Sequence, residues 1–119
     1  MLPTAMIHKR LTLKKWCALG IEKQILNIAS ELSRTKQFVK ENDPALAKAS
    51  IERALELIDL TVECPAGGRS PLWLREFLRL RGILAAWYMN PAQARGKIVL
   101  LLQGLLDLNA ATHNLNLKI

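Results

Sequence analysis

The chain has 119 residues, half of them hydrophobic, with five prolines, six glycines and a formal net charge of +7. That length suits one domain with a real core, and that composition excludes a disordered or low-complexity chain. No apolar run approaches the roughly 20 residues of a membrane-spanning helix, and no long apolar stretch follows the N-terminus as a secretory signal requires, so the expectation is a cytoplasmic protein without membrane association.

The charge is unevenly placed. Residues 1–40 hold eight Lys/Arg against Glu22 and Glu31, and residues 41–63 hold Lys48 and Arg53 against six acids. Residues 64–119 hold seven bases against Glu76 and Asp107. An acidic segment between basic neighbours suggests charge pairing within the molecule, with a residual positive field open to an anionic partner.

Residues 1–10 read as a lead-in tail. Thr12 is a candidate N-cap for a first helix over 13–40. Its core line is Ile21, Ile25, Ile28, Leu32, Thr35 and Val39, spaced by three and four. Lys23, Asn27, Ser30, Arg34 and Gln37 form the opposite, solvated stripe. Gly20 sits inside this helix as a bend or a point of close packing.

Asn42-Asp43-Pro44 starts the second helix, over 44–63. The Asp43 carboxylate can accept from first-turn N–H groups, and Pro44 at the first helical position loses no hydrogen bond. Ala47, Ile51, Ala54, Ile58 and Val62 make the core face, widened by Leu55. A connection this short makes the first two helices antiparallel neighbours. Residues 64–70 are the clearest loop, and Ser70-Pro71 repeats the cap-and-proline device.

The third helix, over 71–89, carries Trp73, Phe77, Leu80, Leu84 and Trp87 at core spacing. Asn90-Pro91 starts a fourth, over 91–111, with more apolar residues than one side of a monomeric bundle requires. That excess predicts a central helix or one facing another subunit. Residues 113–119 alternate with period two, as a tail docking in a groove or pairing with another chain would. A shift of 47 positions superimposes Pro44 on Pro91, Ala47 on Ala94, Ile51 on Ile98 and Leu55 on Leu102. This echo suggests two related hairpins; convergence on the same cap and period is the competing explanation.

Five features are candidate sites, each with a plainer alternative. Glu52, Glu56, Asp59 and Glu63 share one flank of the second helix. Such a line can hold metals, but no Glu-x-x-His pair accompanies it. Ion pairs are the better expectation, Asp59 with Arg75 and Glu56 with Arg79. Arg81 falls on the apolar side of the third helix, where it must either be paired or extend to the surface. Glu52, Glu56 and Asp107 are its candidate partners. Lys9, Arg10, Lys14, Lys15, Arg69 and Ser70 gather at one pole, an anion-binding candidate whose commoner reading is a solvated surface. Cys17 and Cys64 come to the same end of a hairpin. A disulfide or shared metal is geometrically open, but two reduced thiols fit a cytoplasmic chain better. Gly82 and Ala86 offer a close-approach face, and with Val99, Leu100 and Leu106 they make the candidate interface.

Catalysis lacks a motif. The two histidines, His8 and His113, are far apart, and no Ser-His-Asp or Cys-His set stands out. No catalytic, cofactor-binding or metal-binding residue is assigned.

The fold expectation is all-α: an antiparallel up-down four-helix bundle made of two helical hairpins in a single domain, 1–119. A tandem hairpin array is the alternative, since Ala47, Ala54 and Leu55 resemble a tetratricopeptide helix. The functional expectation is a non-enzymatic protein-interaction module, an adaptor, small chaperone or accessory subunit, that self-associates as a dimer. The alternative is a basic nucleic-acid-binding or toxin–antitoxin-type accessory bundle.

Overall fold

Gly20 divides what the hydrophobic period joins. In the computed structural model, which describes residues 12–65 and 71–109, Gly20 takes φ +83°, a conformation costly for any residue with a Cβ. A short helix α1 (Leu13–Ala18) ends before it, and α2 (Ile21–Lys40) begins after it. The single helix expected over 13–40 is therefore two. Thr12 caps α1 as expected, its hydroxyl accepting from the Lys15 N–H at 3.1 Å.

Asn42 then turns the chain at φ +55°, a conformation its short polar side chain tolerates. Asp43 caps α3 (Pro44–Glu63), its carboxylate accepting from the Leu46 N–H at 3.1 Å with Pro44 at the helix start. Helix α4 is Pro71–Met89.

The Asn90-Pro91 signal has a different outcome. Pro91 opens only a 3-10 turn, Pro91–Ala94, and Gly96 at φ +76° interrupts the path before α5 (Ile98–Leu106). Helix α5 thus has nine residues, not the span 91–111. The 47-residue echo survives in the core, where Ala47, Ala94, Ile51 and Ile98 are all buried. It fails where Ala49 is matched by Gly96, and there the second copy loses its helix.

The core assembles from the expected faces. Ile25, Ile28, Leu32, Thr35 and Val39 of α2 are buried, as are Ala47, Ile51, Ala54 and Ile58 of α3. Helix α4 contributes Phe77, Leu80, Leu84 and Trp87. Trp73, half-buried, stacks on Phe77 with ring centroids 4.1 Å apart. Each large side chain so buried contributes roughly 1.5–3 kcal/mol relative to exposure. Helix α2 packs against α3 and α5, and α3 packs against α1 and α4. Every regular element among the described residues is helical, and none of these helices is long and apolar enough to cross a membrane.

Candidate functional site

Helices α4 and α5 are held through different neighbours, α4 on α3 and α5 on α2. Between them runs an open groove of about 500 Å³. Leu80, Ile83 and Trp87 of α4 face Leu101, Leu105 and Leu108 across it. Its edges carry Glu76 and Arg79 on α4, with Lys97, Leu100 and Gly104 on the α5 side. The groove runs along the whole of α5 and along part of the longer α4. Nine residues make about 14 Å of helix, against about 28 Å for the nineteen of α4.

Leu100 is 76% exposed and Val99 38% exposed. Gly104, one turn on from Leu100, has nothing within 4 Å of where a Cβ would stand. The α5 edge therefore alternates a projecting side chain with a gap. Leu106, expected at an interface, is fully buried within the fold, because it lies on the far side of α5 from the groove. Gly82 and Ala86 are exposed, each three residues beyond a groove residue, Arg79 and Ile83. They flank the outer lip of α4. Of the candidate interface residues, Leu100 lines the groove, while Gly82, Ala86 and Val99 lie outside its lining.

The acidic flank of α3 is used in ion pairing. Asp59 meets Arg81, Oδ1 to Nε at 2.6 Å and Oδ2 to a terminal guanidinium nitrogen at 3.3 Å. The expected partner Arg75 is exposed instead, and Arg79 turns to Glu76 of its own helix at 3.6 Å. Arg81 does not run unpaired to the surface. The hydrogen bond and charge of Asp59 raise its pKa further above the ordinary arginine range, against a smaller opposing effect of burial. Glu56 is buried. Among the described residues no group of three or more His, Cys, Asp or Glu is placed to hold a metal.

Sequence reasoning missed a second charge cluster. Glu31 is buried on the core side of α2, and its Oε1 accepts from Arg34 at 3.0 Å and from Arg53 of α3 at 3.1 Å. The signal was available: Glu31 lies three after Ile28 and four before Thr35, inside the core line. Above it the Thr35 and Ser50 hydroxyls meet at 2.6 Å across α2 and α3. Arg95, also unremarked in the sequence, donates to the Val39 carbonyl at 3.0 Å and to Asn42 Oδ1 at 2.7 Å. It clamps the two cap-and-proline turns together, and Pro44 and Pro91 line the same small cleft of about 210 Å³.

The opposite end is closed by α1. Cys17 and Cys64 form a disulfide with Cα atoms 5.6 Å apart, which corrects the expectation of two reduced thiols. Trp16 is buried beside it and donates from Nε1 to the Thr61 hydroxyl at 2.9 Å. Gln24, 2% exposed, donates to the Trp16 carbonyl at 3.0 Å while its own Oε1 has no hydrogen-bond partner. Of the proposed anion pole, Lys14 and Lys15 are exposed on α1. Lys9, Arg10, Arg69 and Ser70 lie outside the described residues, as do both histidines and the alternating segment 113–119.

No protein-family model, curated protein or solved structure matches this chain. The class defined by fold and site is an all-helical protein with an apolar groove along one seam.

Proposed function

We propose that this chain is a non-enzymatic protein-interaction module whose working surface is the seam between α4 and α5. The observation that carries this reading is the groove itself, an apolar floor with Leu100 standing 76% exposed at its edge. Exposed apolar surface gathered into one concave strip is the usual mark of a binding site, whereas scattered exposed leucines need no explanation. The fold that presents it is an antiparallel up-down four-helix bundle with one of its four seams left open. Two observations support that topology. Contacts from α2 to α3 pair in descending order, Glu31 with Arg53 and Thr35 with Ser50, and those from α3 to α4 do the same, Lys48 with Tyr88 and Asp59 with Arg81.

The nucleic-acid reading is less well supported. Part of the described positive charge is paired within the chain: Arg34 and Arg53 on Glu31, Arg79 on Glu76, Arg81 on Asp59, and Lys48 over the Tyr88 ring at 5.6 Å. A nucleic-acid binder presents such charges to phosphate instead. Retention on a polyanion column that falls steeply with salt would reverse this preference.

The direct test places a photo-crosslinking amino acid at position 100 and, as a control, at position 46 on a different exposed surface. Irradiation in extract of the native host is expected to give defined adducts from position 100 and not from position 46. Equal yields from both, or none from either, would remove the seam as the working surface.

A further inference from the structure

Helix α1 is fastened to the rest of the chain through two adjacent side chains. Between residues 12 and 20, Trp16 is buried and Cys17 half-buried, and every other residue is exposed. Trp16 donates to the Thr61 hydroxyl at 2.9 Å, and Cys17 is bonded to Cys64. Ordering a segment costs entropy at each residue, and here a single buried indole is set against that cost. The covalent bond supplies the rest of the attachment.

The joint behind α1 is free to turn. Leu19 and Gly20 alone separate α1 from α2, and both are exposed. Gly20 stands at φ +83° with nothing within 4 Å of where a Cβ would be, and glycine has the least restricted backbone of any residue. Beneath α1 the docked arrangement also carries a cost. Gln24 is 2% exposed. Its Nε2 donates to the Trp16 carbonyl at 3.0 Å and lies 3.8 Å from Cys64 Sγ, while its Oε1 has no partner in the chain. The amide is enclosed between α1 and the end of α3, beside the disulfide. A buried acceptor without a donor is destabilising, and release of α1 gives it access to water.

We propose that α1 is a thiol-sensitive latch. Reduction of Cys17–Cys64 releases α1 about Gly20 and uncovers the adjoining ends of α2 and α3, while the body of α2 to α5 stays folded. The reductant is a low-molecular-weight thiol, and the chemistry is thiol–disulfide exchange. Its thiolate attacks Cys17 Sγ, Cys17 being the more exposed of the pair, and Cys64 leaves as a thiolate. A second reductant thiolate attacks the reductant sulfur of the mixed disulfide and frees Cys17. Both cysteine sulfurs take up protons. The protein gains two electrons, and the reductant leaves as its own disulfide. Opening stays local because the packing of α2 on α3, α3 on α4 and α2 on α5 does not pass through α1. The released segment presents the Trp16 indole beside the exposed Lys14 and Lys15, and the vacated site presents the Thr61 hydroxyl and the Gln24 amide. This device is independent of the seam between α4 and α5.

Backbone NMR relaxation of the full chain, oxidised and then treated with dithiothreitol, tests the latch, with a thiol titration confirming that both cysteines are reduced. In the oxidised chain the order parameters of residues 13–18 should match those of α2 and α3, at about 0.85. After reduction those of 13–18 should fall below about 0.6, while residues 25–39 and 51–61 stay near about 0.85. Reoxidation should restore the first value. Order retained at 13–18 in the reduced chain overturns the proposal, since α1 then stays docked without the bond. Loss of order throughout the chain overturns it too, since the bond then holds the whole fold rather than a latch. A disulfide that yields to dithiothreitol only when the chain is unfolded has the same consequence.

Discussion

Cys17 and Cys64 are bonded across 47 positions of sequence, joining α1 to the C-terminal cap of α3. The bond closes a loop that contains all of α2 and α3. Beside it Trp16 is buried against Thr61, so the crosslink and the packed indole fasten the same short helix. A six-residue helix has too few internal hydrogen bonds to persist alone; it is held by these two attachments.

Reduction, or the Cys17→Ser and Cys64→Ser pair, should therefore lower unfolding free energy. For a loop of this length the chain-entropy treatment gives about 4 kcal/mol. Urea titrations with and without reductant measure the loss. Disulfides persist in oxidising compartments, so we expect protein taken from its native host under thiol-blocking conditions to show no free thiol. That result would displace the cytoplasmic expectation drawn from sequence; two titratable thiols would restore it.

The glycines predict opposite signs for one substitution. At Gly20, with φ +83°, a Cβ is strained, and Gly20→Ala should destabilise by about 1–3 kcal/mol. Gly82 and Gly104 lie within α4 and α5 with open space around them. Alanine there should stabilise by roughly 0.5–1 kcal/mol each through lower unfolded-state entropy. Thermal melts of the three variants check the contrast.

Glu31 should be the most sensitive charged position. Glu31→Gln leaves the arginines without their anion and is expected to cost about 1–3 kcal/mol. Arg53 crosses between helices and is 33% exposed, whereas Arg34 is 57% exposed and sits on the same helix as Glu31. Truncating Arg53 should thus cost more than truncating Arg34. Leucine at position 31 should be tolerated less well than glutamine, because the amide oxygen of glutamine can still accept from Arg53 whereas leucine leaves that donor unmatched. Denaturant midpoints for the four variants give the order.

The Asp59–Arg81 pair should couple by about 0.5–1 kcal/mol in a double-mutant cycle, limited by its partial exposure. Asp59 raises the Arg81 pKa. Stability from a raised pKa is complete below the unfolded-state value and is lost only as pH rises through the folded-state value. Both lie at the alkaline limit, so the arginine's contribution should stay flat from about pH 6 to about pH 9. A cycle repeated across that window, and again at high salt, should show no pH trend and a weaker coupling with salt. A strong drop within the window would contradict the pairing geometry.

Local chemistry made much of the fold legible. Asp43-Pro44 starts a helix because its donors are satisfied within three residues, and the line from Ile25 to Val39 is buried because its period is that of a helix. Such features depend on neighbours along the chain. The same logic failed at Pro91, where Asn90 makes no side-chain cap and Gly96 follows five residues later at φ +76°. It failed at Asp59, whose partner depends on the register between two helices, and a residue or two of sliding changes which arginine it meets.

The sequence by itself determined that this protein is helical, which faces turn inward, and that its last helix carries more apolar residues than one buried side requires. The tertiary structure decided what becomes of that surplus. Only once α4 is set on α3 and α5 on α2 does a gap lie between them. Only then do Glu76, Lys97, Leu100 and Gly104, spread over 29 positions, border a single groove. Periodicity acts over a few residues, whereas a groove is made by the distance between elements that pack mainly on different neighbours.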